Sequence, residues 1–343
     1  MDLSYAQHLE DFHLSRVFDE QREGFYIDVG AGHPVADNAS CWFYLRGWRG
    51  VVVEPQSELL SLYEFVRPRD IREGRALGLV EGETDFHVVD RLHGFSTTIR
   101  EYAELAEDFG AGHATRRTPA TTLATLCAEH NVGAVDFLKI DVEGAEGDVL
   151  RGGDWNRWRP RVVVCEAVAP GSMAPNWSEW EPFLVARNYE FVLYDGLNRW
   201  YVANEEEGLR LRFPRRQAEW LVVPHLGHTN RAPFRDDHPD HRFSRDFVGA
   251  FLAAAPRLDQ ALLLALVLRG ERGDIDAPMT REDRARVLAR IFPSPRFANA
   301  SAGLDKIVAG TRREFIAKII DADAFRIMLG RMAASYDGGQ ILD

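Results

Sequence analysis

This sequence is poor in cysteine and in uninterrupted apolar runs, and its acidic residues outnumber its basic ones. The three cysteines, Cys41, Cys127 and Cys165, are too few and too scattered for a disulfide framework, and they lack the spacing of a zinc site. The net charge of −12 argues against a general nucleic-acid binder, which needs basic surface to replace phosphate counterions. The most apolar stretch covers only 261–268, whereas a membrane span needs about 20 residues, so none is predicted.

The first 18 residues contain no basic segment followed by an apolar one, so we predict no secretory signal. Together with the few, scattered cysteines, this favours a cytoplasmic protein. The content of 45% hydrophobic and 27% charged residues is ordinary for a globular protein. A chain of 343 residues is long enough for one large domain and a smaller one.

Short apolar runs alternate with amphipathic stretches between residues 25 and 203. The runs at 135–141 and 161–166 are nearly continuous, as in strands buried on both faces of a parallel sheet. Further strands are predicted at 25–29, 51–54, 73–79 and 84–89, and helices at 38–47, 57–65, 121–129 and 144–151. The alternation predicts a doubly wound α/β sheet, and the pattern at 189–202 predicts a closing antiparallel hairpin. Methyltransferases with a Rossmann-like sheet usually end in this way.

The remainder of the chain has a different pattern. Residues 206–244 are polar and aperiodic, which is typical of a connector. Helical spacing of apolar residues then returns, so we predict a small, mostly helical C-terminal region over 245–343, with helices at 245–269, 280–291 and 310–334. The predicted organisation is therefore a domain over 1–205, a connector and a helical region suited to a protein partner or to self-association.

The end of the first predicted strand indicates a nucleotide-like cofactor. Asp28 is followed by the turn Gly30-Ala31-Gly32, whose glycines allow a sharp bend and close approach of a ligand. Asp28 is placed to accept hydrogen bonds or to attract the ammonium group of a methionine moiety. Glu54 ends the second strand, where a carboxylate can accept hydrogen bonds from both hydroxyls of a ribose.

Position 35 distinguishes between two classes of cofactor. A nicotinamide dinucleotide motif would have a third glycine there, but this chain has Val35 after Pro34. S-adenosylmethionine has no pyrophosphate and does not need that glycine, so the sequence favours the methyl donor. We also assign Asn38, Ala76 and Asp141 to the donor site.

Six segments resemble the FkbM family of methyltransferases and occur in that family's order. They are SYAQHLEDFHLSRVF (4–18), GFYIDVGAGHPVADNAS (24–40), GWRGVVVEP (47–55), VDFLKIDVEGAEGDVLRG (135–152), RPRVVVCEA (159–167) and YDGLNRWYV (194–202). The KIDVEGAE sequence within the fourth segment is the most specific. The resemblance implies methyl transfer from S-adenosylmethionine to a hydroxyl oxygen, and the GHP sequence resembles members associated with sugar or polysaccharide modification. The family often has Asn where this chain has Gly32.

Candidate catalytic groups follow the predicted strands, because ligands of open α/β sheets bind at the carboxyl ends of strands. They are Asp141 and Glu143 after the fourth strand, Glu166 at the end of the next, Lys139, and His33 in the first loop. The three carboxylates can form an oxygen-ligand site for Mg²⁺, or serve without metal as a base and as acceptors for substrate hydroxyls.

Structural interpretations stay open for several of these groups. Glu143 can favour a helix N-terminus through the helix dipole, Lys139 can be a purely structural ion-pair partner, and His33 can simply shape its loop. The segment 94–98 is a candidate border of the acceptor pocket. We interpret Glu10 and Asp11 as part of a solvated helix face.

The sequence therefore predicts an S-adenosylmethionine-dependent O-methyltransferase acting on a sugar or glycoconjugate, with no nucleic-acid partner. The alternative hypothesis is a catalytically idle module that binds S-adenosylmethionine and docks a biosynthetic partner through its C-terminal helices. A nicotinamide-dependent oxidoreductase is disfavoured by Val35 and by the closing hairpin.

Overall fold

The computed structural model describes residues 1, 3–89, 93–172, 174–223, 225, 236, 241–257 and 319–320. The chain divides into two compact units, Met1–Leu226 and Gly227–Asp343. The second unit contains a helix at His241–Ala254, followed by a 3-10 turn at Ala255–Arg257. The predicted C-terminal helices at 280–291 and 310–334 lie outside the described residues, apart from 319–320, which are helical.

A seven-stranded sheet organises the first unit. Across the sheet the strands are β3 (Ile71–Glu73), β2 (Arg49–Val53), β1 (Phe25–Val29), β7 (Phe137–Ile140), β8 (Val162–Glu166), β10 (Asn198–Ala203) and β9 (Tyr189–Tyr194). The five strands from β3 to β8 run parallel. Strand β10 is antiparallel to both β8 and β9, so the sheet ends in a hairpin.

Three further strands form a small second sheet. In spatial order they are β4 (Ala76–Leu77), β6 (His113–Thr121) and β5 (Gly82–Val89). The predicted single strand at 73–79 is therefore wrong, because β3 belongs to the large sheet and β4 to the small one. Between the two strands, at positions 74 and 75, the chain leaves one sheet and joins the other.

Helices connect the strands of the first unit. They are α1 (Glu10–Val17), α2 (Cys41–Leu45), α3 (Ser57–Val66), α4 (Arg100–Leu105), α5 (Leu123–Glu129), α6 (Glu146–Arg151), α7 (Glu181–Val185) and α8 (Glu207–Arg210), and the helix of the second unit is α9 (His241–Ala254). Thr122 begins α5 as an N-cap whose side chain accepts a hydrogen bond from the Thr125 amide. No helix in the described part of the chain is long and apolar enough to cross a bilayer.

Apolar side chains cover both faces of the large sheet. Successive residues of a strand point to opposite faces, so Tyr26 and Phe137 pack in one cluster while Ile27 and Leu138 pack in the other. The rings of Tyr26 and Phe137 stack with centroids 5.5 Å apart. This two-sided burial explains the nearly continuous apolar runs and confirms the predicted doubly wound α/β sheet with a closing hairpin.

Candidate functional site

The turn after β1 meets the end of β7 at very close range. Gly30 has a φ of +74°, and a Cβ built on it would lie 1.6 Å from the backbone oxygen of Asp141. The amides of Gly30 and Ala31 both donate to the Val53 carbonyl at 3.0 Å. Gly32 has a φ of +57°, but a Cβ there would meet nothing within 4 Å. The turn is therefore fixed to β2 and β7 at its start and open at its end.

Glu54 lies beside the open end of this turn. The carboxylate follows β2, accepts a hydrogen bond from the Gly32 amide at 2.9 Å and another from the Gln56 amide at 2.8 Å. Burial raises the pKa of Glu54 to about 7, even though these two amides favour the ionised form. The side chain is thus held rigidly at the edge where a ribose would lie in a Rossmann-like site.

Asp28 is buried beneath the turn and is connected to a cation that sequence reasoning missed. The Ser40 hydroxyl donates to Asp28 Oδ2 at 2.5 Å, and Arg67 Nη2 donates to the same hydroxyl at 2.8 Å. Arg67 also forms an ion pair with Asp70 at 2.7 Å and is 1% exposed. Arg67 directly follows the amphipathic helix at Ser57–Val66, and no sequence motif there indicates its role.

Asn38 holds the turn from inside the protein. Its Nδ2 donates to the Ala31 carbonyl at 2.8 Å, and its Oδ1 accepts from Arg67 Nη1 at 2.8 Å. The residue is 1% exposed, so its polar groups bond to the surrounding protein and hold the loop in place. Ala76, also assigned to the donor site from sequence, is buried in β4 of the small sheet and pairs with Ala120.

Three predicted acidic residues meet at the carboxyl ends of β7 and β8. One carboxylate oxygen each from Asp141, Glu143 and Glu166 lies within 4.8 Å of the other two. Lys139 Nζ donates to Asp141 Oδ2 at 2.6 Å. The structure therefore brings together four of the five residues that the sequence placed at the reacting centre, the fifth being His33.

The loop after β7 positions Glu143 in an unusual conformation. Glu143 has a φ of +55° and Gly144 one of +103°, where an added Cβ would lie 2.1 Å from the Tyr102 ring. The Thr97 hydroxyl donates to the Glu143 carbonyl at 2.9 Å, which links the predicted 94–98 segment to this loop. Left-handed backbone in a residue other than glycine is costly and is often found at functional sites.

The carboxylate that accepts backbone hydrogen bonds at the start of α6 belongs to Glu146 and not to Glu143. Glu146 Oε1 accepts hydrogen bonds from the amides of Gly144 at 2.9 Å and Val142 at 3.3 Å. Helix α6 begins at Glu146, three residues after Glu143. The interpretation of Glu143 as a helix-terminal carboxylate is therefore wrong, and its side chain faces Asp141 and Glu166 instead.

The electrostatics of this cluster are dominated by burial and by mutual repulsion of carboxylates. Burial, reinforced by Asp141, raises the pKa values of Glu143 and Glu166 well above their usual range. Burial alone would lower the pKa of Lys139, but Asp141, Glu10 and Asp28 more than offset it and the net change is upward. Burial and repulsion thus favour the neutral forms of Glu143 and Glu166, whereas the surrounding carboxylates favour the charged form of Lys139.

Glu10 extends this cluster to the N-terminal helix. Its Oε1 accepts from Asn198 Nδ2 at 2.9 Å, and Asn198 pairs with Glu166 in the register of β10 and β8. Asp11 is likewise buried and accepts from the Ser4 hydroxyl at 2.6 Å. The interpretation of Glu10 and Asp11 as a solvated helix face is wrong, because both carboxylates are buried, Glu10 against the hairpin and Asp11 against Ser4 and Tyr5.

His33 lies in the loop after the glycine turn. Its Nδ1 accepts hydrogen bonds from the amides of Val35 at 3.2 Å and Ala36 at 3.0 Å. An accepting Nδ1 carries no proton, so the ring is neutral in this arrangement. These two hydrogen bonds help to fix the conformation of the loop, irrespective of the contacts that the Nε2 atom makes.

The chain is similar to known proteins over part of its length. Residues 28–191 match the family model described as the methyltransferase FkbM domain. A crystal structure of a methyltransferase FkbM from Methylobacillus flagellatus KT is 13% identical, with a TM-score of 0.33, and the alignment covers 53% of this chain and 44% of that one. The chain thus spans less than half the length of that protein. No curated protein matches. Over residues 28–191 the chain is therefore similar to methyltransferase domains of the FkbM family.

Proposed function

We propose that this protein is an S-adenosylmethionine-dependent O-methyltransferase whose acceptor is a hydroxyl of a sugar or glycoconjugate. The observation that carries the proposal is the position of Glu54 beside the open glycine turn, at the same sheet edge as the Asp141, Glu143 and Glu166 carboxylates. One edge of the sheet thus offers a donor side and an acceptor side. The FkbM domain match supports the methyltransferase assignment.

The donor side fits the polar groups of S-adenosylmethionine. Glu54 is held by two backbone amides and has further lone pairs for a ribose diol. The empty space over Gly32 leaves room for a ligand to approach the backbone. Asp28 lies below the same turn, where its ionised carboxylate would favour an ammonium group, although burial raises its pKa.

Bound donor would supply an electrophilic methyl group, and the protein's task is to orient the acceptor hydroxyl and to take its proton. The hydroxyl oxygen must lie in line with the bond that breaks, so positioning accounts for much of the acceleration. A carboxylate of the Asp141, Glu143 and Glu166 cluster is the proton acceptor in this proposal. Burial raises the pKa values of Glu143 and Glu166, which makes their ionised forms stronger bases toward that proton.

The charge of the cluster also bears on the acceptor. Carboxylates accept hydrogen bonds from hydroxyls and repel anions, so an uncharged polyhydroxyl compound is favoured over a phosphorylated or carboxylated one. The acceptor is therefore proposed to be a neutral sugar unit of a glycoconjugate or polysaccharide precursor.

The three cysteines are free thiols, which supports a reducing, cytoplasmic location.

The test is a double-mutant cycle on donor binding. Isothermal titration would compare S-adenosylhomocysteine with its 2′-deoxy and 3′-deoxy analogues, on wild type and on Glu54→Gln. If Glu54 binds the diol, each deoxy analogue binds wild type at least about tenfold more weakly, and Glu54→Gln shows little further discrimination. Glu64→Gln, an exposed glutamate on α3, is the matched control, and NADH is the control ligand.

Methyl transfer to a panel of neutral, amino and acidic sugars separates the enzyme from the idle module. Turnover with a neutral acceptor supports the enzyme. Tight S-adenosylhomocysteine binding without turnover on any acceptor, together with stable capture of a biosynthetic protein, supports the module. Tight NADH binding would overturn both and restore the oxidoreductase hypothesis.

A further inference from the structure

We propose that Asp141, Glu143 and Glu166 form a binding site for one divalent cation of the Mg²⁺ or Mn²⁺ class. The site itself depends only on these residues, while its role in activating the acceptor hydroxyl rests on the proposed function. Hard divalent cations of this kind take carboxylate oxygens, waters and substrate oxygens as ligands. Three protein carboxylates would leave coordination positions for an acceptor hydroxyl and for water.

The geometry of the three side chains fits a single ion. One oxygen from each carboxylate lies within 4.8 Å of the other two. Ligand oxygens of one octahedral Mg²⁺, at about 2.1 Å from the metal, lie roughly 3–4 Å apart. Small side-chain rotations would therefore bring these oxygens onto one cation.

Glu166 provides a second observation that points to a ligand. It is 5% exposed, and its Oε2 atom has no hydrogen-bond partner among the described residues. A buried carboxylate oxygen without a partner is costly, and in native proteins such an atom usually contacts a water or an ion. Glu166 belongs to the same cluster as Asp141 and Glu143, so a cation at that point would satisfy it.

The balance of charge supports a cation as well. Lys139 is bonded to Asp141, whereas neither Glu143 nor Glu166 forms an ion pair with a residue that the structure describes. Glu146 adds another buried carboxylate nearby, and its Oε2 also has no partner in the described chain. One lysine therefore faces several carboxylates, and a divalent ion would offset the excess.

A bound cation gives the cluster a specific function in the proposed reaction. An acceptor hydroxyl coordinated to the ion becomes more acidic, so its proton is lost more easily as the oxygen gains the methyl group. The new O–CH₃ bond forms as the S–CH₃ bond of the donor breaks and S-adenosylhomocysteine leaves. The hydroxyl O–H bond breaks, and the proton passes to a cluster carboxylate or to water. A vicinal diol can coordinate through both oxygens, which favours a sugar acceptor.

Metal binding can be tested without donor, acceptor or turnover. Free Mn²⁺ would be measured by electron paramagnetic resonance while the full-length protein is titrated, with wild type, Glu143→Gln, Glu166→Gln and the exposed control Glu101→Gln. We expect one Mn²⁺ per chain in wild type and in Glu101→Gln. Loss of one carboxylate ligand should weaken Mn²⁺ binding by at least 10–100-fold. Mutation of a residue that only hydrogen-bonds to a metal ligand already weakens metal binding by about that factor.

Thermal unfolding in EDTA and in Mg²⁺ shows whether the variants are folded. Removing a repelled carboxylate should leave the melting temperature in EDTA equal to or above that of wild type, and Mg²⁺ should raise it only in wild type and Glu101→Gln. Absence of Mn²⁺ binding in wild type, or binding that survives both ligand variants, would overturn the proposal. S-adenosylhomocysteine titration in EDTA is independent of these outcomes, so failure of the metal site and failure of the methyltransferase assignment are distinguishable.

Discussion

Lys139 Nζ lies 2.6 Å from Asp141 Oδ2, and both side chains are largely buried at the carboxyl end of β7. The two residues flank Ile140, so they point to the same side of the strand end while Ile140 packs in the core. Lys139 is also close enough to Glu10 and Asp28 for their charges to act on it. This lysine therefore balances carboxylates that come from α1, β1 and the loop after β7.

Replacing Lys139 by Met should destabilise the fold strongly. The variant leaves Asp141 and its acidic neighbours without their buried cation, and loss of one partner of a buried pair typically costs about 3–5 kcal/mol. The double variant Lys139→Met/Asp141→Asn should recover part of that loss, because it removes the charge that is left unpaired. Urea unfolding at pH 7.5 in EDTA would measure all four members of the cycle, and additive effects would contradict the pairing.

Gly30 and Gly32 should respond very differently to alanine, although both have positive φ. At Gly30 the new Cβ would lie 1.6 Å from the Asp141 oxygen, and relieving that contact requires β1 and β7 to separate. We expect a loss of about 4 kcal/mol or more, or no folded protein. At Gly32 nothing lies within 4 Å, so only the backbone strain of roughly 1–2 kcal/mol applies. Equal unfolding midpoints in urea would contradict this account.

The pattern of residues was sufficient to predict the central sheet. Strand β1 lies where it was predicted, at Phe25–Val29, and the runs that became β7 and β8 are buried on both faces, as their composition indicated. The strand predicted at 73–79 failed because sheet membership depends on the partner strand, and β4 finds its partner in the distant β6. Local pattern carries no information about that pairing.

The residue types of the candidate site were predictable from the sequence, but the residues that hold them in place were not. Acidic residues at strand ends are visible in sequence, and Asp141, Glu143 and Glu166 do meet. Arg67 and Ser40 were missed, because only the folded chain brings the end of α3 beneath the glycine turn. Glu10 was misinterpreted since a short amphipathic helix gives no sign that its acidic residues are buried against Asn198.

Glu54 should make stability depend on pH in a defined direction. Its folded pKa of about 7 exceeds the ordinary value of 4.5, so between those limits the folded protein binds more protons than the unfolded chain. The stability contribution of this group is therefore fully present below about pH 4.5 and is lost as the pH rises through about 7. Glu54→Gln should flatten the profile by up to about 1.4 kcal/mol per pH unit within this window.

Denaturant unfolding at pH 5.5, 6.5 and 7.5 would compare Glu54→Gln with wild type and with the exposed control Glu64→Gln. Other buried carboxyls with raised pKa values, Asp11 and Glu146 among them, stay in all three proteins, so the difference between profiles isolates Glu54. Parallel profiles for wild type and Glu54→Gln would show that Glu54 is ionised throughout, despite its burial.

Arg67 should control donor affinity without touching the donor. Its guanidinium reaches Asn38 and the Pro34 carbonyl through Nη1, and Ser40 through Nη2, so one planar group fixes both the turn and the loop after it. Lysine keeps the charge but cannot donate in several fixed directions at once. We expect Arg67→Lys to weaken S-adenosylhomocysteine binding about tenfold or more and to lower stability by about 1–3 kcal/mol.

The exposed Arg72→Lys is the matched control and should change neither quantity. Titration of S-adenosylhomocysteine and urea unfolding would be carried out on the same samples. A positioning role predicts that affinity falls even at temperatures where Arg67→Lys is fully folded, because the loop that carries Gly32 and Asn38 has lost its support. If the folded variant binds as tightly as wild type, Arg67 stabilises the fold alone and the turn is held by its bonds to Val53 and Glu54.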